Sequence, residues 1–325
     1  MAVEQPTVSA PQTNAPKRSQ SLEARDSRLA YMLVLPGFLL VLLIILFPMV
    51  WNIVLSFQDV GLRDLPTFNM FDFSNTTTEN YTTATGSRFW VGLRVTLIYT
   101  VFSTALAIIG GLWAALVAKE TFPGRGIFRA FILFPYIAPV VSTAFIWRLM
   151  LDKNFGFVNA ALGREGAQAV GWRTSRGQVV SMFGAEVTIP IALTTVILFE
   201  GWRYFPFAFL FLLARIQAIP GDMYESAQVD GATPIQRLWY ITLPQLRSVI
   251  ATLFLLRFIW TFYKFEDIFL LNGGAAGTEV LTVQIFNWLF SRRNVGVAAA
   301  MGVILAVALM ILVIFYQRWT SEEES

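Results

Sequence analysis

Six apolar stretches, at residues 30–57, 89–118, 128–151, 188–214, 248–271 and 295–316, constrain this chain more than any other feature. Each is near or above the ~20 residues that a helix needs to cross a hydrocarbon layer. Each is also too uniformly apolar for an amphipathic helix resting on a soluble core. Of all residues 56% are hydrophobic and 14% charged, against about 25% charged in soluble domains. A soluble fold must cover itself with polar surface that this chain lacks. The sequence therefore predicts an all-α integral membrane protein whose six transmembrane helices occupy residues 29–318.

Residues 1–28, rich in Gln, Pro, Thr, Ser and Ala, cannot build a core and are expected to form a disordered tail. Residues 319–325 form a second, short tail. The first apolar run, Tyr31 to Phe47, is longer than a signal-peptide core and has no small-residue cleavage site after it. A retained anchor fits it better. Six spans put both termini on one side. Lys17, Arg18, Arg25 and Arg28 precede the first span, and Lys119, Arg125 and Arg129 crowd the connection after the second. The positive-inside bias makes that side cytoplasmic.

Cysteine and histidine are both absent. That excludes disulfides, Cys or His metal sites, thiol nucleophiles and imidazole acid–base chemistry. No catalytic residue and no metal ligand is identified. No G-x4-G-K-[ST] phosphate loop occurs, so the chain cannot cradle ATP in that way and is read as a transport subunit, not an enzyme. The net charge of +3 is small and dispersed and gives no sign of nucleic acid binding.

The orientation makes the connection at 215–247 cytoplasmic. It reads Ile219-Pro220-Gly221-Asp222-Met223-Tyr224-Glu225-Ser226-Ala227-Gln228-Val229-Asp230-Gly231-Ala232-Thr233-Pro234, continuing to Ile241-Thr242-Leu243-Pro244. Local chemistry predicts two short helices. Asp222 is placed to cap the first, with Glu225 reaching back as in a capping box. Gly231 suits the left-handed residue that ends it. Thr233 caps the second, Pro234 takes its first position, and Pro244 limits its far end. The expected product is a two-helix elbow between spans four and five.

The spacing Glu225-Ser226-Ala227, three residues, Gly231, nine residues, Ile241, one residue, Leu243-Pro244 resembles the EAA loop of binding-protein-dependent ABC importer permeases. Ser226 stands where that family usually has Ala, and it is small enough to pack in a groove. The resemblance implies that the elbow is a coupling helix docked in a cleft of an ATPase subunit, where Glu225 meets a basic residue. The implied coupling set is Glu225, Ser226, Ala227, Asp230, Gly231, Ile241, Leu243 and Pro244. In isolation Glu225 and Gly231 equally suit a helix cap and a helix stop, and capping is compatible with docking.

Phe134-Pro135-Tyr136-Ile137-Ala138-Pro139-Val140-Val141, with Trp147, Gly156 and Asn159, resembles the third span of carbohydrate-type permeases of the maltose and glycerol-phosphate kind. Trp202-Arg203-Tyr204-Phe205-Pro206-Phe207 resembles their fourth span, and the segment from Trp260 to Gly274 their fifth span with its Gly-Gly turn. At 263–266 that family usually carries Asn or Asp, where Tyr263 and Lys264 stand here, so the sugar is left open. The resemblance implies import of a sugar or related carbohydrate by alternating access in a prokaryotic cytoplasmic membrane. Its implied partners are an ATPase dimer that binds the ATP and magnesium, a second homologous permease and an extracytoplasmic solute-binding protein. The outer loops at 58–88 and 152–187 are then the docking surface for the last of these. No cofactor is implied for this chain itself.

Ionisable groups inside spans cost about 2.5–3.5 kcal/mol each on insertion scales, so they face a cavity or one another. Glu200 and Arg203 lie three apart on span four and share a helix face, which reads as a structural ion pair. Lys264 and Asp267 share a face of span five, and Glu266 points elsewhere. With Tyr263, and beside Trp260 and Phe262, they suit a sugar-lining surface; snorkelling or a local salt bridge suits the same charges equally. Arg148 and Arg257 lie near enough to span ends to snorkel and receive no role. Asn75-Thr76-Thr77 and Asn80-Tyr81-Thr82 are glycosylation sequons that matter only where surface proteins are glycosylated. A permease for another solute, such as glycerol phosphate, an amino acid or a peptide, would share the elbow but not the span patterns. An ion-coupled secondary transporter would need coupling residues and usually internal repeats, and none is evident.

Overall fold

The computed structural model describes residues 20–69, 72, 74–182 and 185–323. Lys17, Arg18 and most of the expected N-terminal tail lie outside the described residues. Residues up to Asn52 form one compact unit and residues from Ile53 onward a second. Helix α1 begins at Gln20 in the first unit, passes through a π turn at Leu42–Leu46 and ends at Ser56; its last four residues count with the second unit. Residues 20–28, expected to be disordered, are therefore helical, because Leu22-Glu23-Ala24-Arg25 are all good helix formers. Every residue from Ser27 to Val50 is exposed, and a helix apolar on all sides suits hydrocarbon.

In the second unit α2 is Ser87–Lys119, α3 Arg125–Ile137, α4 Val140–Met150 and α5 Ile191–Gln217. Next come α6 at Gly221–Val229, α7 at Pro234–Phe262, α8 at Glu266–Asn272, α9 at Leu281–Phe286 and α10 at Val295–Glu323. Among the described residues five helices are long and apolar enough to cross a membrane, or six if the bent pair α3–α4 counts as one span. That pair turns by 94° at Ala138-Pro139. Ala138 is extended at ψ 139° and Pro139 caps α4, as expected where a proline drives the preceding residue out of helical geometry. The single straight span anticipated at 128–151 is thus broken.

Three further expectations are corrected. The fold is not wholly helical, since Gln178–Met182 pairs antiparallel with Ala185–Ile189; span four then starts at Ile191, after Pro190. Span five ends at Phe262 instead of 271, and residues 266–272 form the separate α8, which packs on α4. Span six, expected to end at 316, runs on as helix to Glu323, because no Gly or Pro interrupts the end of α10.

Small residues set the packing of α2 against α5. Ala107, Ala114, Ala115 and Ala118 of α2 are wholly buried, and the last three share a cluster with Ala208, Phe209 and Leu212 of α5. Gly111 permits the closest approach: a Cβ there would lie 2.6 Å from Ala208 Cβ and 2.7 Å from the Phe209 backbone nitrogen. A Cβ on neighbouring Gly110 would meet only the Phe205 side chain, at 3.2 Å. Overpacking costs about 1–3 kcal/mol, so G111A is expected to lower the midpoint of thermal unfolding in detergent well below that of G110A. Equal midpoints would overturn the close α2–α5 contact.

Candidate functional site

The elbow is built from α6, a tight turn and the start of α7. Helix α6 opens after Pro220 with no side-chain cap, and Asp222 lies within the first turn. The capping box expected between Asp222 and Glu225 does not form, because extended Pro220 starts the helix one residue before Asp222. There the carboxylate acts on the partial positive charge of the helix end. Ser226 is turned inward on itself, its hydroxyl donating to the Asp222 carbonyl at 2.7 Å. Gly231 has φ +80°, and Ala232 N–H donates back to Ala227 C=O at 2.8 Å. No neighbour would meet a Cβ on Gly231, so its backbone conformation alone calls for glycine.

Thr233 caps α7, and Gln236 completes a capping box with it. The T-x-x-Q spacing was the available signal for Gln236. Pro244 does not limit the second helix. A π turn at Leu238–Thr242, in which Leu243 N–H donates to Leu238 C=O, carries α7 through it. The wider turn moves the carbonyl with which the proline ring would collide. Ile241 and Leu243 are half-buried on this turn, and Pro244 is exposed.

What the elbow presents outward is distinctive. None of α6 is buried. Glu225, Ser226, Asp230 and Gly231 are exposed and Ala227 is half-buried. Next to Asp230 in the chain, Val229 is 88% exposed, and elsewhere on the elbow Tyr240 is 80% exposed. An exposed face mixing acids with large apolar groups has the composition of a protein-docking surface.

A second constellation lies inside the bundle. Glu200 of α5 is fully buried and accepts from Arg257 of α7 at 2.7 Å. Arg257 also donates to Thr261 at 3.0 Å. Arg203 donates to Ala138 C=O at 3.1 Å and to Thr143 Oγ1 at 3.0 Å, one on each side of the α3–α4 break. Its Nε lies 3.9 Å from Asp267 Oδ1. Asp267, also fully buried, pairs with Lys264 at 3.4 Å. Tyr204 sits at the centre: Arg257 and Lys264 lie 4.1 and 4.2 Å from its ring centroid, and Lys264 donates to its hydroxyl.

This arrangement corrects two sequence expectations. Glu200 and Arg203 do not pair with each other. Each takes a partner from another helix, and Arg203 is drawn to a carbonyl that the α3–α4 break leaves without a helical partner. Arg257 does not snorkel. It is 1% exposed, enclosed by its bonds to Glu200 and Thr261 and by the Tyr204 ring. The i, i+3 pair of Lys264 and Asp267 forms, while Glu266 is exposed and Tyr263 is 46% exposed. Sequence reasoning missed Tyr204 and Thr143, which no spacing rule links to distant charges.

The patterned residues beyond α4 are structural. Buried Asn159 donates to the carbonyls of Lys153 and Val170, at 3.2 and 3.0 Å, and accepts from Trp172 Nε1 at 3.0 Å. A Cβ on Gly156 would collide with the backbone of Asp152. Of the two sequons, Asn75 is exposed, whereas Asn80 is buried and donates to Ser56 and Gln58 carbonyls at 3.1 and 2.8 Å. The Asn80 amide is thereby closed to modification in the folded chain.

Breaking a buried ion pair at one end strands the other charge at a cost of about 3–5 kcal/mol. R257M is therefore expected to destabilise the purified protein by that amount in denaturant unfolding, and R257M/E200L to recover most of it. A double variant as unstable as R257M would show that the pair is not the cause.

The family described as binding-protein-dependent transport system inner membrane component matches residues 107–321, which include the elbow and the buried cluster. The trehalose/maltose transport system permease protein of Thermococcus litoralis is 31% identical over 303 residues, 92% of this chain and 96% of that one. The trehalose transport system permease protein of Mycobacterium tuberculosis is 30% identical over 281 residues, 86% of this chain and 84% of that one. A crystal structure of a bacterial ABC transporter involved in import of the acidic polysaccharide alginate matches with a TM-score of 0.76 at 22% identity. It covers 93% of this chain and 98% of that one, a likeness of fold. On the extent of these matches, the chain belongs to the family of inner-membrane components of binding-protein-dependent transport systems.

Proposed function

We propose that this chain is one permease subunit of an ATP-driven importer of sugars, working by alternating access in a prokaryotic cytoplasmic membrane with both termini cytoplasmic. The observation that carries the reading is the elbow: a helix that buries nothing of itself and presents Glu225 and Asp230 beside exposed apolar groups. Such a surface is explained by a partner that covers it. The ATPase dimer is that partner, and it binds the ATP and magnesium. A second, homologous permease completes the pathway, and a solute-binding protein delivers cargo at the opposite face.

Sugar as cargo is supported by the trehalose and maltose permeases among the relatives and by the surface near the end of α7. Tyr136, Trp260 and Tyr263 are exposed, at 39%, 45% and 46%. The rings of Phe207 and Trp260 lie 5.3 Å apart, and those of Tyr136 and Tyr204 5.9 Å apart. Aromatic faces next to Lys264 and Glu266 offer stacking, donors and acceptors together, which a sugar requires. Asp267 serves differently from the other three proposed lining residues: wholly buried, it holds Lys264 in place.

Glu225 is the residue whose charge docking needs most. E225K is expected to leave the subunit inserted while uncoupling ATP hydrolysis from uptake in proteoliposomes holding the assembled transporter. Uptake at the wild-type rate by that variant would overturn the coupling role.

A further inference from the structure

A coupling helix must pass its displacement to the spans, and α6 has few means of doing so. It buries no residue of its own. Among the described residues its polar and ring contacts beyond itself and the turn that follows it come from two side chains. Gln228 accepts from Arg237 at 3.4 Å, which is internal to the elbow. Tyr224 is the other. Its hydroxyl lies 2.9 Å from Thr242 Oγ1, and the Lys119 ammonium lies 4.9 Å from its ring centroid.

Both ends of that contact are well placed. Thr242 is 1% exposed and closes the π turn at the base of α7. Its hydroxyl donates to Arg237 C=O at 3.3 Å; with that proton used, the Tyr224 O–H donates to Thr242. Lys119 is the last residue of α2 and pairs with Glu120 at 3.7 Å. Between these groups lies a cavity of about 240 Å³, lined by Leu116, Lys119, Tyr224, Arg237 and Thr242 among others. Side-chain packing therefore does not fill the space beneath the elbow. Consecutive helical residues point about 100° apart, so Glu225 faces outward while Tyr224 faces the spans.

We propose that Tyr224 is a positioning residue that transmits displacement of α6 into α7 through Thr242 and into α2 through Lys119. The π turn is the receiving element, since its wider hydrogen-bond ladder is a natural hinge. The assignment rests on α6 being the ATPase-docking helix, as proposed above.

The test uses the assembled transporter in proteoliposomes and reads cargo imported per ATP hydrolysed, with co-purification of the subunits measured alongside. Y224F keeps the ring over Lys119 and removes the bond; T242V removes it from the other side. Each is expected to lower the import-to-hydrolysis ratio about fivefold, the equivalent of one net hydrogen bond, in complexes that still co-purify. T242V also gives up the bond to Arg237, so Y224F/T242V is expected to fall no further than T242V alone, in which the Tyr224 bond is already lost. Y224L, losing the ring contact as well, is expected to fall further. A wild-type ratio in Y224F, additive losses in the double variant, or losses that track failed assembly would each overturn the assignment. E225K separates this from the underlying reading. If E225K uncouples and Y224F does not, only the Tyr224 role is lost; if E225K imports normally, the coupling reading goes with it.

Discussion

Backbone polar groups in an apolar surround have no water to bond, so each must find a partner within the protein. Prolines, which lack the N–H, decide where this chain meets that demand and where it departs from straight helices. At Pro139 the helix breaks by 94° and restarts. At Pro190 and Pro220 the residue caps a new helix. Before Pro48 and Pro244 the helix widens into a π turn and continues, with Phe47 donating to Leu42 and Leu243 to Leu238. Pro36, Pro135 and Pro206 are carried inside helices without such a turn. The break at Pro139 and the π turn before Pro244 place both constellations of interest.

The break at Pro139 frees carbonyl acceptors in the interior, and Arg203 occupies that position, bonding to Ala138 and Thr143 on the two sides. Asp267 and Lys264 then tie α8 to α5, and Glu200 with Arg257 ties α5 to α7. Such pairs add little net stability against apolar substitutes, but removal of one member is costly. Their physical effect here is registry: five charged groups from α5, α7 and α8, with the bridging segment between the last two, meet around one tyrosine ring. The aromatic surface proposed for cargo lies at the edge of this rigid cluster. At the other constellation the π turn before Pro244 makes the elbow continuous with α7, so the elbow's second half is the beginning of a span.

Much of the architecture was legible from composition and spacing. The long apolar runs at 89–118, 188–214 and 295–316 fall within α2, α5 and α10 apart from the first three residues of the second, which precede Ile191. Gly231 and Thr233-Pro234 were readable as turn and cap because their chemistry is local. The errors came where proline had more than one outcome. Pro244 reads as a helix stop, yet one extra residue in the turn absorbs it. Pro220 received no role from spacing, yet it starts the helix one residue early and takes Asp222 out of the cap. The hairpin at 178–189 was hidden by its nearness to an apolar span. Charged residues were misassigned because i, i+3 spacing reports only neighbours on one helix. Arg257 and Glu200 are 57 residues apart.

By itself the sequence determined that the chain lives in a membrane, that it lacks thiol and imidazole chemistry, and that an acid-bearing elbow lies between two spans. These follow from composition and from short-range backbone rules, which do not need the rest of the molecule. Tertiary structure alone decided which charges pair, that Arg257 is buried, that Asn80 is sealed by its hydrogen bonds, and that Tyr224 bridges the elbow to the spans. Each depends on how helices distant in sequence cross. That crossing is set by close contacts such as Gly111 on Ala208, which local propensity does not encode.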